Sequence, residues 1–129
     1  LLEHLEDFSW SSFEISLKGG DVFGSKKDPR VLWAGVQPQE DLIRLQKEMA
    51  KHLEALGFEL EKRKYIPHLT LARLKQTPYS QLATYLEKLA VYQSRPFLVE
   101  EFGLYTSKLK EEGAEYTLEK SFKAIDADL

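Results

Sequence analysis

A histidine and a threonine stand two residues apart in YIPHLTLARLK, residues 65–75, as His68 and Thr70. In an extended strand alternate side chains point to opposite faces. His68 and Thr70 therefore share one face, and Leu69 and Leu71 share the other, where they are expected to pack on helices. The pair suits chemistry at phosphorus. A neutral imidazole takes a proton from water or a hydroxyl, and an imidazolium returns one to a departing oxygen. The ordinary imidazole pKa of about 6.5 makes both forms available near neutrality. A threonine hydroxyl aimed the same way can donate to a phosphoryl oxygen as charge builds there, and β-branching limits its rotamers. The competing reading is a core strand whose histidine is satisfied by its surroundings. His-x-Thr is a short motif, and spacing alone leaves both readings open.

The remaining candidates are weaker. His4 is followed by Leu5 and Glu6, and His52 lies beside Leu53 on a helix, at a border or exposed position. Lys26, Lys27 and Arg30 sit in a loop, where solvated charges are the favoured reading and contact with an RNA backbone the alternative. Lys62, Arg63 and Lys64 precede the motif, but alternation splits them between two faces. Tyr65, Phe23 and Trp33 are of the type that stacks on bases in single-stranded RNA, although Trp33 is expected in the core. Tyr105 and Tyr116 read as structural. Glu100-Glu101 and Glu111-Glu112 show no metal-ligand spacing with His68, so no metal or cofactor is expected.

These residues need a scaffold, and 129 residues suffice for one domain, 1–129, with a real core. A hydrophobic share of 43% with 30% charged residues is globular, not disordered. The net charge of −3 argues against a broad grip on duplex nucleic acid but allows a local basic patch. The absence of cysteine excludes disulfides, thiolate metal sites and a cysteine nucleophile, and leans toward a cytoplasmic location. No apolar run approaches the roughly 18 residues of a membrane span, and LLEHLEDFSW has no signal-peptide pattern. No membrane association and no obligate protein partner are expected. The chain starts at Leu1 and its one methionine is Met49, so residues are expected upstream.

The pattern along the chain predicts a helix tail over Leu1–Asp7, then a strand in which Phe13, Ile15 and Leu17 alternate with polar residues. Gly19, Gly20 and GSKKDPR mark turn or loop. VLWAGV, residues 31–36, suits a central strand. Leu42, Leu45, Met49, Leu53 and Leu56 form one helical stripe, with Pro38 in its first turn and Gly57 at its stop. A strand-like stretch starts at Phe58 and leads to the motif. Thr77 caps a second helix with Pro78 at its first position and Leu82, Leu86 and Leu89 as its stripe. Strands over Pro96–Thr106 and Ala114–Phe122 close the chain, turning near Gly113, with Tyr116, Leu118 and Phe122 on one face. This order predicts an α+β fold of largely antiparallel sheets with flanking helices.

The succession PRVLWAGV, helix, LGFELEKRKYIPHLTLARLK, helix, FGLYTSKLKEEGAEYTLEKSF resembles the C-terminal part of the two-histidine phosphoesterases. The similarity is greatest to their RNA 2′,3′-cyclic phosphodiesterase, or 2′-5′ RNA ligase-like, branch. It covers about Phe13 to Phe122 and is sharpest at PHLTLAR, residues 67–73. It implies a bilobal fold in which each lobe brings a His-x-Thr strand to a cleft. It also implies metal-independent opening of 2′,3′-cyclic phosphate RNA ends to 2′-phosphates, in some members with 2′-5′ ligation. RNA ends or nucleoside cyclic phosphates are the implied partners. The family's second motif falls on His68 and Thr70, and its trailing arginine, a candidate phosphate contact, on Arg73. The first motif has no match between Leu1 and Leu129 and is expected upstream. The alternatives are an inactive relative that binds nucleotides or RNA ends, and an interaction module with no nucleotide role.

Overall fold

A computed structural model describes residues 5–127. Its elements are β1 (Phe13–Gly24), β2 (Pro29–Gln37), α1 (Glu40–Ala55), β3 (His68–Arg73), α2 (Tyr79–Ala90), β4 (Phe97–Val99), β5 (Glu101–Lys110) and β6 (Gly113–Lys123). The fold is α+β. One sheet has the order β3-β2-β1-β4, and β5-β6 form a separate hairpin; the pairs β1–β2, β2–β3 and β5–β6 are antiparallel. The chain divides into two compact units, Leu1–Phe13 with Leu45–Glu61 and Leu98–Leu129, and Glu14–Arg44 with Lys62–Phe97.

The first unit is built on aromatic rings. Leu5, Phe8, Trp10, Met49, Phe122 and Ala124 form its buried centre, and Leu45, Leu53 and Leu56 bring the stripe of α1 against it. Phe102 and Phe122 stack at 4.9 Å, and Phe8 meets both edge-on at 6.0 and 5.9 Å. Each such pair adds about 0.5–1.5 kcal/mol beyond the area it buries. α1 starts with Glu40 and Asp41, where the helix dipole favours anions. Pro38 was expected in the first turn but lies before it, after a cis Gln37–Pro38 bond. Gly57, at φ +97°, ends the helix as the sequence predicts. Its N–H donates to the Glu54 carbonyl and that of Phe58 to the Leu53 carbonyl. The helix tail expected over Leu1–Asp7 falls partly on residues 1–4, outside the described range; Leu5 is in a 3-10 helix, and Glu6 and Asp7 form a turn.

The strand expected over Pro96–Thr106 is divided at Glu100 into β4 and β5. The Glu100 carbonyl accepts from Ala124 N–H at 2.8 Å, so the chain is tied beyond the end of β6 at that point. In the hairpin Leu104 opposes Lys120 but Tyr105 opposes Leu118, which leaves Glu119 as an extra residue, a β-bulge. Tyr116, Leu118 and Phe122, expected on one face, are thereby separated. Phe122 is 5% exposed in the core, whereas Leu118 and Tyr116 are 50% and 57% exposed.

The second unit is organised by its sheet. The Gly19-Gly20 pair does not turn the chain. The register steps from Leu17↔Val36 to Gly20↔Ala34, and Gly19 takes the left-handed conformation, φ +67°, that the bulge requires. β1 then runs on to Gly24, and the turn follows at Ser25–Asp28, closed by reciprocal backbone bonds of 3.3 and 3.1 Å. β2 is the expected central strand, with Leu32, Ala34 and Val36 buried. Gly20 lets α2 approach: a Cβ there would lie 2.8 Å from Leu89 Cδ1. The stretch from Phe58 is irregular up to Pro67, not strand-like; Pro67 has no N–H for a ladder, and its side chain is fully buried. α2 buries Leu82 and part-buries Leu86 and Leu89. Its N-cap is Pro78, not Thr77, with no side-chain cap bond.

Candidate active site

β3 is an edge strand, held by β2 alone within its sheet. Gly35 opposes His68 and Trp33 opposes Thr70, so the imidazole, the hydroxyl and the indole occupy one face. The other face differs from the expectation that Leu69 and Leu71 pack on helices. Each is 48% exposed, because an edge strand is only half covered by its neighbours.

Arg73 arrives on the site face by a register change. Simple alternation from His68 would place it with Leu69 and Leu71. Instead Thr70 opposes Trp33 while Ala72 opposes Leu32 and Arg73 opposes Val31, so Leu71 is an extra residue. Val31, Trp33 and Gly35 share a face of β2, and their partners Arg73, Thr70 and His68 therefore share it too.

His68 is solvent-exposed yet held from three sides. Its Nδ1 lies 2.7 Å from the Ile66 carbonyl oxygen. A carbonyl only accepts, so Nδ1 carries the proton and the neutral ring keeps its lone pair on Nε2. Phe23 meets the imidazole edge-on at 4.9 Å and Trp33 at 5.9 Å, and these two rings stack on each other at 4.8 Å. Trp33, expected in the core, is thus half-buried beside His68, with an indole N–H that is buried and has no hydrogen-bond partner. Gly35 leaves bare backbone opposite the histidine: a Cβ there would lie 2.5 Å from the Lys18 carbonyl oxygen. The aromatic wall draws on β1 and β2, and no spacing within either strand announces it.

The arrangement can move a proton at Nε2, donate a hydrogen bond from Thr70, and place a guanidinium farther along the same face. Tyr65, just before the motif, has its phenol pushed up by burial and remains a donor at neutral pH. Among the described residues no three histidine, aspartate or glutamate side chains gather to hold a metal ion. His4 lies outside the described residues. His52 belongs to the first unit, its Nδ1 bonded to the Glu48 carbonyl at 2.9 Å and its ring edge-on to Phe8. A shallow depression of about 200 Å³ beside it is lined by Asp7, Phe8, Ser9, Glu48, Lys51 and His52, with no hydroxyl two residues from the histidine.

Residues 35–116 match the family described as LigT like Phosphoesterase. An RNA 2′,3′-cyclic phosphodiesterase of Aquifex aeolicus is 31% identical over 126 residues, which cover 95% of this chain and 67% of the relative. The chain belongs to the LigT-like phosphoesterases. An RNA 2′,3′-cyclic phosphodiesterase of Methanothermobacter thermautotrophicus is 34% identical over 84% of this chain and 59% of its own length. One from Thermotoga maritima is 39% identical over 52% of this chain and 35% of its own. The chain thus spans between a third and two thirds of these curated relatives. Among solved structures, a Thermus thermophilus protein superposes with a TM-score of 0.68 at 26% identity, covering 95% of this chain and 66% of that one. Escherichia coli LigT complexed with 3′-AMP superposes with a TM-score of 0.66 at 22% identity, covering 96% and 66%, and shares the fold. In this LigT-like chain the strand bearing PHLTLAR lies inside the matched region, and so do α1, α2 and the start of the hairpin. No helix is long and apolar enough to cross a membrane among the described residues.

Proposed function

We propose that this protein is an RNA 2′,3′-cyclic phosphodiesterase that opens cyclic phosphate ends to 2′-phosphates, with His68 and Thr70 as catalytic residues. The observation that carries the reading is the held imidazole. Nδ1–H is engaged by the Ile66 carbonyl, Nε2 remains for proton transfer, and Thr70 stands on the same face. The relatives named RNA 2′,3′-cyclic phosphodiesterase support the substrate class, and the 3′-AMP bound by Escherichia coli LigT supports a nucleotide ligand.

In the proposed reaction water attacks phosphorus and gives up a proton to a base. The bond from phosphorus to the 3′ oxygen breaks, and that oxygen takes a proton from an acid. His68 Nε2 serves as one of these two groups. The other falls to a second histidine from the family's first motif, which has no match within residues 1–129. Thr70 donates to a nonbridging oxygen, and Arg73 holds phosphate charge from the same face. RNA ends in the cytoplasm are the proposed partners, and RNA processing the proposed setting. Turnover of a nucleoside 2′,3′-cyclic phosphate by the protein and by His68→Ala tests this. Equal rates overturn it. Binding of a 3′-nucleotide with no turnover by either protein favours the inactive relative instead.

A further inference from the structure

We propose that the β1–β2 turn, with the end of β3 beside it, is a subsite for phosphates of the RNA strand leading up to the reacting end. The inference rests on the function proposed above and narrows its substrate to an oligonucleotide rather than a mononucleotide. Its basis is the direction in which β3 runs. From His68 the strand passes Thr70 and Arg73 toward this turn, and the Leu74 N–H then donates to the Arg30 carbonyl at 2.8 Å. Four ladder steps, from Gly35 to Val31, at about 3.3 Å each place the turn end of the sheet on the order of 13 Å along the strand from the backbone of His68. That is beyond the reach of one nucleotide held at His68 and within reach of those that precede it.

This end of the sheet is basic in a chain whose net charge is negative. Lys26, Lys27 and Arg30 lie in or beside the turn, and Arg73 and Lys75 at the end of β3. Asp28, within the turn, is taken by Arg30 Nε at 2.8 Å. Asp21 also lies on the site face, opposite Trp33, and accepts from the Val22 N–H. The lysines ride on a fixed frame. Ser25 and Asp28 exchange backbone hydrogen bonds, and Ser25 Oγ accepts from the Asp28 N–H at 3.0 Å. Gly24 is at φ +106°, with no room for a Cβ, which would lie 2.6 Å from the Asp28 carbonyl oxygen. Lys26 Nζ is drawn over the Tyr79 ring at 5.7 Å, which ties the turn to the start of α2. Cations already held in place lose less freedom on meeting a phosphate than cations on a loose loop. The bulge at Leu71 turns Arg73 to the face of His68, so that it bridges the reacting end and the turn.

The test compares binding of a short single-stranded RNA ending in a 3′-phosphate with binding of a 3′-nucleoside monophosphate, each as a function of salt. The proteins are the wild type, K26E/K27E and, with the same change of net charge, K47E/K88E. Each phosphate neutralised on a single strand contributes about 0.7 to the slope of log K against log salt, so K26E/K27E should lower that slope for RNA by about 1.4. The mononucleotide should bind all three proteins alike, and K47E/K88E should keep the wild-type slope. An unchanged slope in K26E/K27E, or an equal fall in K47E/K88E, overturns the subsite. Turnover of a cyclic mononucleotide separates the two ideas. If it is turned over while the slope is unchanged, the subsite fails and the function stands. If the slope falls but nothing is turned over, the subsite stands and the catalytic reading fails.

Discussion

The edge strand β3 and the hairpin strand β6 each carry one extra residue, Leu71 in one and Glu119 in the other, and in each the side chains beyond it change sides. In β3 the change gathers the candidate site residues: Arg73 joins His68 and Thr70 on one face. In β6 it divides a set, keeping Phe122 in the core while Leu118 and Tyr116 face outward. Both strands therefore expose aromatic or aliphatic side chains, but only one face combines them with an imidazole and a hydroxyl. A bulge costs one unpaired position and redirects everything after it. It is a compact way to place a side chain that strict alternation would misplace.

The contrast can be broken most decisively at His68. His68→Ala should reduce turnover of a nucleoside 2′,3′-cyclic phosphate by about 10²–10⁴-fold, the usual contribution of a general acid or base. Leu109→Ala, at the exposed end of the hairpin, should leave turnover near the wild-type rate. A comparable loss in both would mean that the two faces do not differ in kind. The bulge in β6 is tested by urea unfolding. Phe122→Ala should destabilise by about 3–5 kcal/mol, while Leu118→Ala, at a position of the same parity but half-exposed, should cost under about 1.5 kcal/mol. Equal costs would remove the bulge from the explanation.

The matching test for β3 is Arg73→Ala. Loss of a charge-assisted contact to phosphate, worth about 1.5–3 kcal/mol, should raise KM at least about tenfold. An unchanged KM would show that the bulge delivers the guanidinium nowhere useful. Trp33→Phe should raise stability by up to about 1 kcal/mol, since it keeps an aromatic ring in the stack and removes a buried donor with no partner. A clear loss in thermal denaturation would mean that the N–H is satisfied in solution. The smallest effect is expected at Asp126. Its carboxyl is held below the usual range by hydrogen bonds from the Ser12 N–H and Ser12 hydroxyl. The folded-state pKa is depressed, so this contribution is complete above the ordinary carboxylate pKa and fades as pH falls toward the lowered one. Asp126→Asn should flatten that part of the acid limb in pH-dependent unfolding, its small loss of stability being present at neutrality and vanishing in acid.

What could be read in advance followed the range of each physical rule. The shared face of His68 and Thr70 rests on two residue steps, too few for a register change to intervene. The stripe of α1 and its stop at Gly57 rest on a helical period that needs no partner strand. Arg73 was recognised by resemblance, but its side of the strand depends on the pairing of Leu32 with Ala72, which nothing local encodes. The exposure of Leu69 and Leu71 depends on β3 being outermost in its sheet, a property of strand order. The wall of Phe23 and Trp33 around the histidine assembles residues from three strands. The division at Glu100 likewise depends on a bond to Ala124, far along the chain.

The atom that accepts the hydrogen bond from His68 Nδ1–H belongs to the main chain, immediately ahead of a buried proline. No exchange of side chains can delete that acceptor. The tautomer is inherited from the route of the backbone through Ile66 and Pro67, a route that the proline ring narrows. The surrounding rings can therefore be substituted without giving the imidazole a reason to move its proton to the other nitrogen.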